Sequence, residues 1–187
     1  MAQKTTTKSG NHGKVDKTKA ANGSGAVSAA EAHDATAHVA ADATDYVTFV
    51  IAKQMFGIPV LKVQDVLASC EVTRIPLAPP EVAGALNLRG RIVTAIDVRL
   101  RLGLAARNTE DHQTSIVVEQ NGELYSLMVD EVGEVLSLDP KGFQKNPPTL
   151  DARFREYSSG IFRLKERLLV VLDVDGLLDY GAGQKAA

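Results

Sequence analysis

The chain has 187 residues, a formal net charge of −2, one cysteine, no tryptophan and 5% aromatic residues. This balance argues against a nucleic-acid partner, which needs a basic face. A lone cysteine excludes an internal disulfide framework and suits a cytoplasmic setting, and the scarcity of aromatic rings speaks against a base-stacking platform or a sugar cleft. Neither a signal peptide nor a bilayer-spanning run is present in the apolar pattern.

Residues 1–44 contain no Leu, Ile or Phe, too little apolar surface to offset the entropy of ordering, and are predicted to be a disordered tail. Within it, Ala26–Ala43 lacks an apolar face and Lys4–Lys19 reads as a solvated stretch. The folded part is expected over residues 45–180, with 181–187 as a frayed tail.

Along that part, Tyr46–Ile51 and Phe56–Leu61 read as a hairpin turning at Lys53-Gln54. Pro59 cannot donate to a ladder, which places its strand at an edge or a bulge. Val63–Ala68 suggests a helical turn and Glu71–Ile75 a strand, after which Pro76, Pro79 and Pro80 break pairing, with Pro80 opening a short helix to Gly84. Ala85–Leu88 and Arg91–Asp97 pair across Arg89-Gly90. Residues 103–113 lose periodicity and read as a linker. Asn121-Gly122 joins Thr114–Glu119 to Glu123–Asp130 in the strongest hairpin signal of the chain. A proline-bearing loop comes next (Pro140, Pro147, Pro148). Tyr157–Leu164 and Arg167–Val174 then pair across Lys165-Glu166, and Asp175–Tyr180 closes as a short helix. Short strands at this spacing indicate an all-β architecture of small barrels.

Two echoes support duplication of one β unit. Gly84–Leu102 aligns without a gap on Gly160–Leu178 at a shift of 160 − 84 = 76, matching Leu88 to Leu164, Arg91 to Arg167 and Asp97 to Asp173. Phe56–Leu67 aligns on Tyr125–Leu136 at 125 − 56 = 69, matching Val63, Val66 and Leu67 to Val132, Val135 and Leu136. The echoes occur in the same order.

Catalytic signals are weak. The phosphate loop, HExxH and GxSxG patterns are absent. His12, His33 and His38 fall in the tail and His112 in the linker, so neither a metal nor a cofactor is expected. Cys70 has no adjacent activating group and reads as a small packed residue. Asp97 and Asp173, each ending a strand before a helix, fit helix caps better than a paired-carboxylate active site. An enzyme on these two residues is the weakest reading. The stronger signal is interactive: Arg89 and Arg91 flank Gly90 at an exposed hairpin tip, and Val63, Asp65 and Leu67 alternate with Gln64 and Val66. Such an apolar–acidic strip suits a partner helix, with Arg89 reaching a carboxylate.

Together FGIPVLKVQDVL, VTRIPLAPPEVAGALNLRGRIVTAIDVRLRLGL, MVDEVGEVLSLD and GIFRLKERLLVVLDVDGLL resemble the CheW family of chemotaxis coupling proteins over roughly residues 45–180, with an Asn-Leu-Arg-Gly signature at Asn87–Gly90. The resemblance implies two small five-stranded barrels packed around an apolar interface, with short helices. It implies a non-enzymatic, cytoplasmic adaptor joining the cytoplasmic tip of chemoreceptors to the regulatory domain of a CheA-type histidine kinase. Such a protein meets the membrane only through receptor clusters and can take part in rings. It carries a receptor-binding role onto Val63, Asp65 and Arg89, with Gly84 and Val135 at the margin: apolar contact from Val63 and Val135, a charge-assisted bond from Arg89, and Asp65 presetting the Arg89 rotamer or facing a basic partner. Thr94 departs from a family preference for proline, and the tail is longer than in most members. An alternative with the same fold is a scaffold of a paralogous receptor–kinase pathway serving another motility or developmental output.

Overall fold

The computed structural model describes residues 43–69, 71–106, 114–165 and 167–179. The readings of the 1–42 tail, of residues 107–113, of Tyr180 and the 181–187 tail, of Cys70 and of all four histidines lie outside them. In chain order the strands are β1 (Thr44–Ile51), β2 (Gln54–Pro59), β3 (Val63–Leu67), β4 (Val82–Leu88) and β5 (Arg91–Asp97). Helix α1 (Val98–Arg101) precedes β6 (Thr114–Gln120), β7 (Glu123–Val129), β8 (Glu131–Leu138) and β9 (Phe143–Gln144). Helix α2 (Ala152–Glu156), β10 (Ser158–Arg163), β11 (Leu168–Leu172) and α3 (Val174–Leu178) complete the described fold.

Among the described residues, three hairpins turn on two-residue loops in which both residues have positive φ. They are Ala52-Lys53 (49° and 70°), Arg89-Gly90 (51° and 86°) and Asn121-Gly122 (53° and 82°). Such turns match the twist of the strands they join. Each helix starts on an aspartate that accepts a backbone N–H: Asp97 from Leu100, Asp151 from Arg153 and Asp173 from Gly176. The aspartates at the equivalent repeat positions are therefore caps, each worth about 1 kcal/mol.

The strands form two sheets, ordered β8-β1-β2-β11-β10-β9 and β3-β6-β7-β5-β4. Both contain one parallel pair, β2 with β11 and β5 with β7. Each sheet mixes the two repeats, because β3 pairs with β6 while β8 pairs with β1. The 103–113 segment thus joins the repeats but leads from β5 and α1 to β6 within one sheet. The five-stranded sheet is contiguous in sequence and is inserted into the six-stranded one. Two connections enter and leave it: Val60–Lys62, a turn of 3-10 helix, and Asp130 alone.

Burial follows from this layering. The main core lies between the sheets, where Phe49, Ile51, Phe56 and Ile58 meet Ile96, Ile116, Leu127 and Val129. Each such side chain contributes roughly 1.5–3 kcal/mol by leaving water. A second cluster joins Tyr46, Phe162, Leu169 and Val171 to Leu136 and Leu138. A third joins Leu86, Val93, Ala95 and Met128 to Leu67. Residues from strands far apart in sheet order meet in both smaller clusters, so each sheet curls around its own core. The two β subdomains expected from the repeat are present. No backbone ladder joins their outer strands among the described residues, and side chains close the curl.

Several local expectations change. Val63–Leu67 is a strand, not a helical turn, because its β-branched residues find a ladder on β6 (Val63 opposite Val118). The preceding Val60–Lys62 makes the helical turn instead. Glu71–Ile75 is reduced to a single bridge between Thr73 and Ala85, the prolines beyond it preventing a longer ladder. Pro80 sits in a turn with β4 starting at Val82, not in a helix. The loop after Pro140 contains β9 and α2.

Candidate functional site

The site is built at the two outer strands of the five-stranded sheet. On β3 a bulge between Val63 and Asp65 places Gln64 out of register, and Val63, Asp65 and Leu67 share the half-buried face while Gln64 and Val66 are exposed. Asp65 accepts from its neighbour's backbone, Val66 N to Oδ1 at 2.9 Å, which leaves Oδ2 directed away from the chain. On the opposite outer strand the Asn87–Gly90 turn presents Arg89. The Asn87 side chain accepts from Gly90 N at 2.8 Å and locks the turn. This hydrogen bond explains asparagine two residues before the arginine.

Arg89 Nη2 donates to Asp65 Oδ2 at 2.9 Å, spanning the gap between the sheet's two outer strands. The pair is asymmetric: the arginine side chain is 82% exposed and the aspartate 25%. An exposed ion pair of this kind adds little to stability, about 0–1 kcal/mol. It does hold a guanidinium with most of its donors still facing solvent. Beside it runs an open groove lined by Leu67, Thr73, Asn87, Leu88 and Ile92, with Ile92 82% exposed.

Gly84 and Val135 stand differently. Gly84 is buried on β4 at φ 151°, and a Cβ there would run into the carbonyl oxygen of Thr73. Its role in the fold is to admit the bridging segment; a side chain for a partner has no space. Val135 belongs to β8 of the other sheet, opposite Val47, and is 54% exposed. The fold therefore joins Asp65 to Arg89, keeps Val63 on the same strand face, buries Gly84 beneath Thr73, and carries Val135 on a separate sheet.

Sequence reasoning missed one polar cluster, beyond the far end of β5 from the Arg89 turn. Arg99 donates to both oxygens of Asp130, from Nε at 2.7 Å and Nη2 at 2.6 Å, and Asp130 Oδ2 also accepts from Ala52 N at 2.9 Å. The available signal was the acidic pair Asp130-Glu131 directly after the apolar run of β7. Among the described residues no group of His, Cys, Asp and Glu could hold a metal ion, and no helix is long and apolar enough to cross a membrane.

Comparison with known proteins agrees with this architecture. The CheW-like domain model matches residues 45–181. The chain is 31% identical over 134 residues to the chemotaxis protein CheW of Klebsiella aerogenes, covering 72% of this chain and 81% of the relative. To the chemotaxis protein CheW of Rhizobium meliloti it is 24% identical over 144 residues, covering 77% and 93%. The solved scaffolding protein TtCheW from Thermoanaerobacter tengcongensis matches with a TM-score of 0.68 and 27% identity, over 77% of this chain and 97% of that one. With the family model spanning essentially the whole two-sheet fold, this chain belongs to the CheW-like domain family.

Proposed function

We propose that this protein is a non-enzymatic chemotaxis adaptor that couples chemoreceptors to a CheA-type histidine kinase. On this reading it resides in the cytoplasm and reaches the membrane only through receptor clusters. The Asp65–Arg89 pair carries the site reading. Burying Asp65 more deeply than Arg89 fixes the guanidinium without consuming it, and a fixed guanidinium bonds a carboxylate on a receptor helix with little further ordering cost. Val63 and the exposed Val135 supply apolar contact on that helix, the usual complement of a charged anchor. Family membership and the chemotaxis relatives support the adaptor role.

The test is capture of partners from native lysate by the tagged protein and by Arg89→Glu. The variant places a second carboxylate beside Asp65 on the surface, so the fold is retained. Recovery of kinase with receptors by the parent, and loss of receptors alone by Arg89→Glu, is the expected outcome. Equal receptor recovery by both proteins would remove Arg89 from the site. Recovery of a different receptor–kinase set would assign the same scaffold to a paralogous pathway.

A further inference from the structure

The geometry points to the Arg99–Asp130 pair as a positioning element for receptor capture: it fixes the take-off of β8, and with it Val135, without touching the receptor. This inference rests on the adaptor reading above and deepens its site.

The chain leaves the five-stranded sheet at Val129 and enters the six-stranded sheet at Glu131, so Asp130 is the whole connection. A one-residue joint leaves the chain no length over which to correct its course. The joint's dihedrals therefore act on β8 together with its ladder on β1, where Val135 pairs with Val47 and Thr48 Oγ1 donates to Glu134 O at 2.6 Å. Here those dihedrals are held from several sides. The Asp130 N–H donates to Val50 O at 3.1 Å. Its carboxylate takes the forked pair from Arg99 on α1 and the Ala52 N–H at the β1–β2 turn. The clamp thus ties the joint to one element of each sheet. Side-chain exposures of 23% and 21% make it far better shielded than Asp65–Arg89, and a bidentate arginine–carboxylate pair holds angle as well as distance.

The other connection between the sheets is also tied to a helix, by a pair with the charges reversed. Lys62, ending the Val60–Lys62 turn, donates to Asp175 on α3 at 2.7 Å. Asp175 falls on Arg99 in the repeat (99 + 76 = 175). That second latch is a single bond between groups 42% and 59% exposed. The two connections are therefore held unequally, and the firm one leads directly into the strand that carries Val135. A bulge between Val47 and Phe49 in the β1–β8 ladder leaves β8 dependent on how it is launched as well as on its register.

The test measures affinity of the intact protein for a purified receptor cytoplasmic-tip fragment in five forms: parent, Asp130→Asn, Val135→Ala, the double variant of these two, and Arg89→Glu. Asp130→Asn preserves shape and weakens the Arg99 fork. Segment-resolved amide exchange accompanies each. Asp130→Asn is expected to weaken binding about tenfold and to lower protection at Glu131–Leu138 selectively, with β4–β5 and β10–β11 unchanged. In the Val135→Ala background the same change is expected to cost little more, because its effect acts through Val135. Additive losses, unchanged affinity in Asp130→Asn, or uniform loss of protection across both sheets would overturn the positioning role. If Val135→Ala and Arg89→Glu themselves leave affinity unchanged, the receptor-site reading fails first and the positioning role falls with it.

Discussion

Replacing Gly84 with alanine separates a structural requirement from a contact role. The added Cβ would collide with the Thr73 carbonyl, and the nearest Val72 methyl lies 2.8 Å away. Relief requires withdrawing the 72–73 backbone. That movement breaks the reciprocal bridge in which Thr73 N donates to Ala85 O and Ala85 N to Thr73 O, both at 2.8 Å. Two such bonds are worth about 2 kcal/mol net, and holding a non-glycine residue at φ 151° adds roughly 1–3 kcal/mol. A total of about 3–5 kcal/mol corresponds to a fall of roughly 10–15 °C in Tm for a domain of this size. Gly90→Ala is the control: its φ is 86°, but nothing lies within 4 Å of the new Cβ, so it carries the dihedral penalty alone, about 1 kcal/mol. Urea denaturation gives both stabilities, and amide exchange at Thr73 and Ala85 reports the bridge. If Gly84→Ala were no less stable than Gly90→Ala, with both amides still protected, the collision argument would be wrong.

Phe56 is fully buried, stacked on Phe49 at 5.8 Å and edge-on to Phe154 at 5.3 Å. Phe56→Ala should cost about 3–5 kcal/mol in chemical denaturation; a loss under about 1 kcal/mol would show that α2 and β1 collapse into the space. Asp151, bonded to the Arg153 side chain and backbone, has its carboxyl pKa lowered to about 2. Because the folded value is depressed, its stabilising contribution is present above the ordinary value of 3.8 and is lost as pH falls through about 2. Carboxyl-carbon NMR titration of the folded protein should give that low midpoint, and Arg153→Gln should move it upward.

What the sequence reveals and what it hides divides along the range of the interactions. The Arg89-Gly90 and Asn121-Gly122 turns are legible because a positive-φ requirement acts within four residues. The Asp97 and Asp173 caps are legible for the same reason. The Asp65–Arg89 juxtaposition is suggested by residue chemistry, but its basis, two outer strands of one curled sheet, is a long-range property. Locally β3 reads as helical because its partner β6 begins more than forty residues later, and only that ladder selects the extended form. Thr73 cannot be recognised as a single bridge, since the gap it fills exists only once Gly84 is in place. Exchange of β3 and β8 between the repeats leaves no local mark, because either repeat is consistent with self-pairing.

Insertion of one sheet inside the other has a consequence for how the molecule is made. Strands β3 to β7 occupy an unbroken stretch from Val63 to Val129, so the smaller sheet can be completed while the chain is still being synthesised. The β1–β2 hairpin emerges earlier, yet its neighbours arrive only after the smaller sheet, β8 directly behind it and β11 as the last strand. Until Glu131–Leu138 is available that hairpin has two open edges, and until Leu168–Leu172 follows its β2 edge stays open, with the apolar faces of Phe49 and Phe56 incompletely covered. Such edges invite pairing with other chains, and pairings this distant in sequence form slowly. A ribosome pause after β7 would lengthen the dangerous interval, whereas a pause before β3 would leave only a short hairpin exposed. The last strand to be translated is thus the one that makes the first hairpin safe.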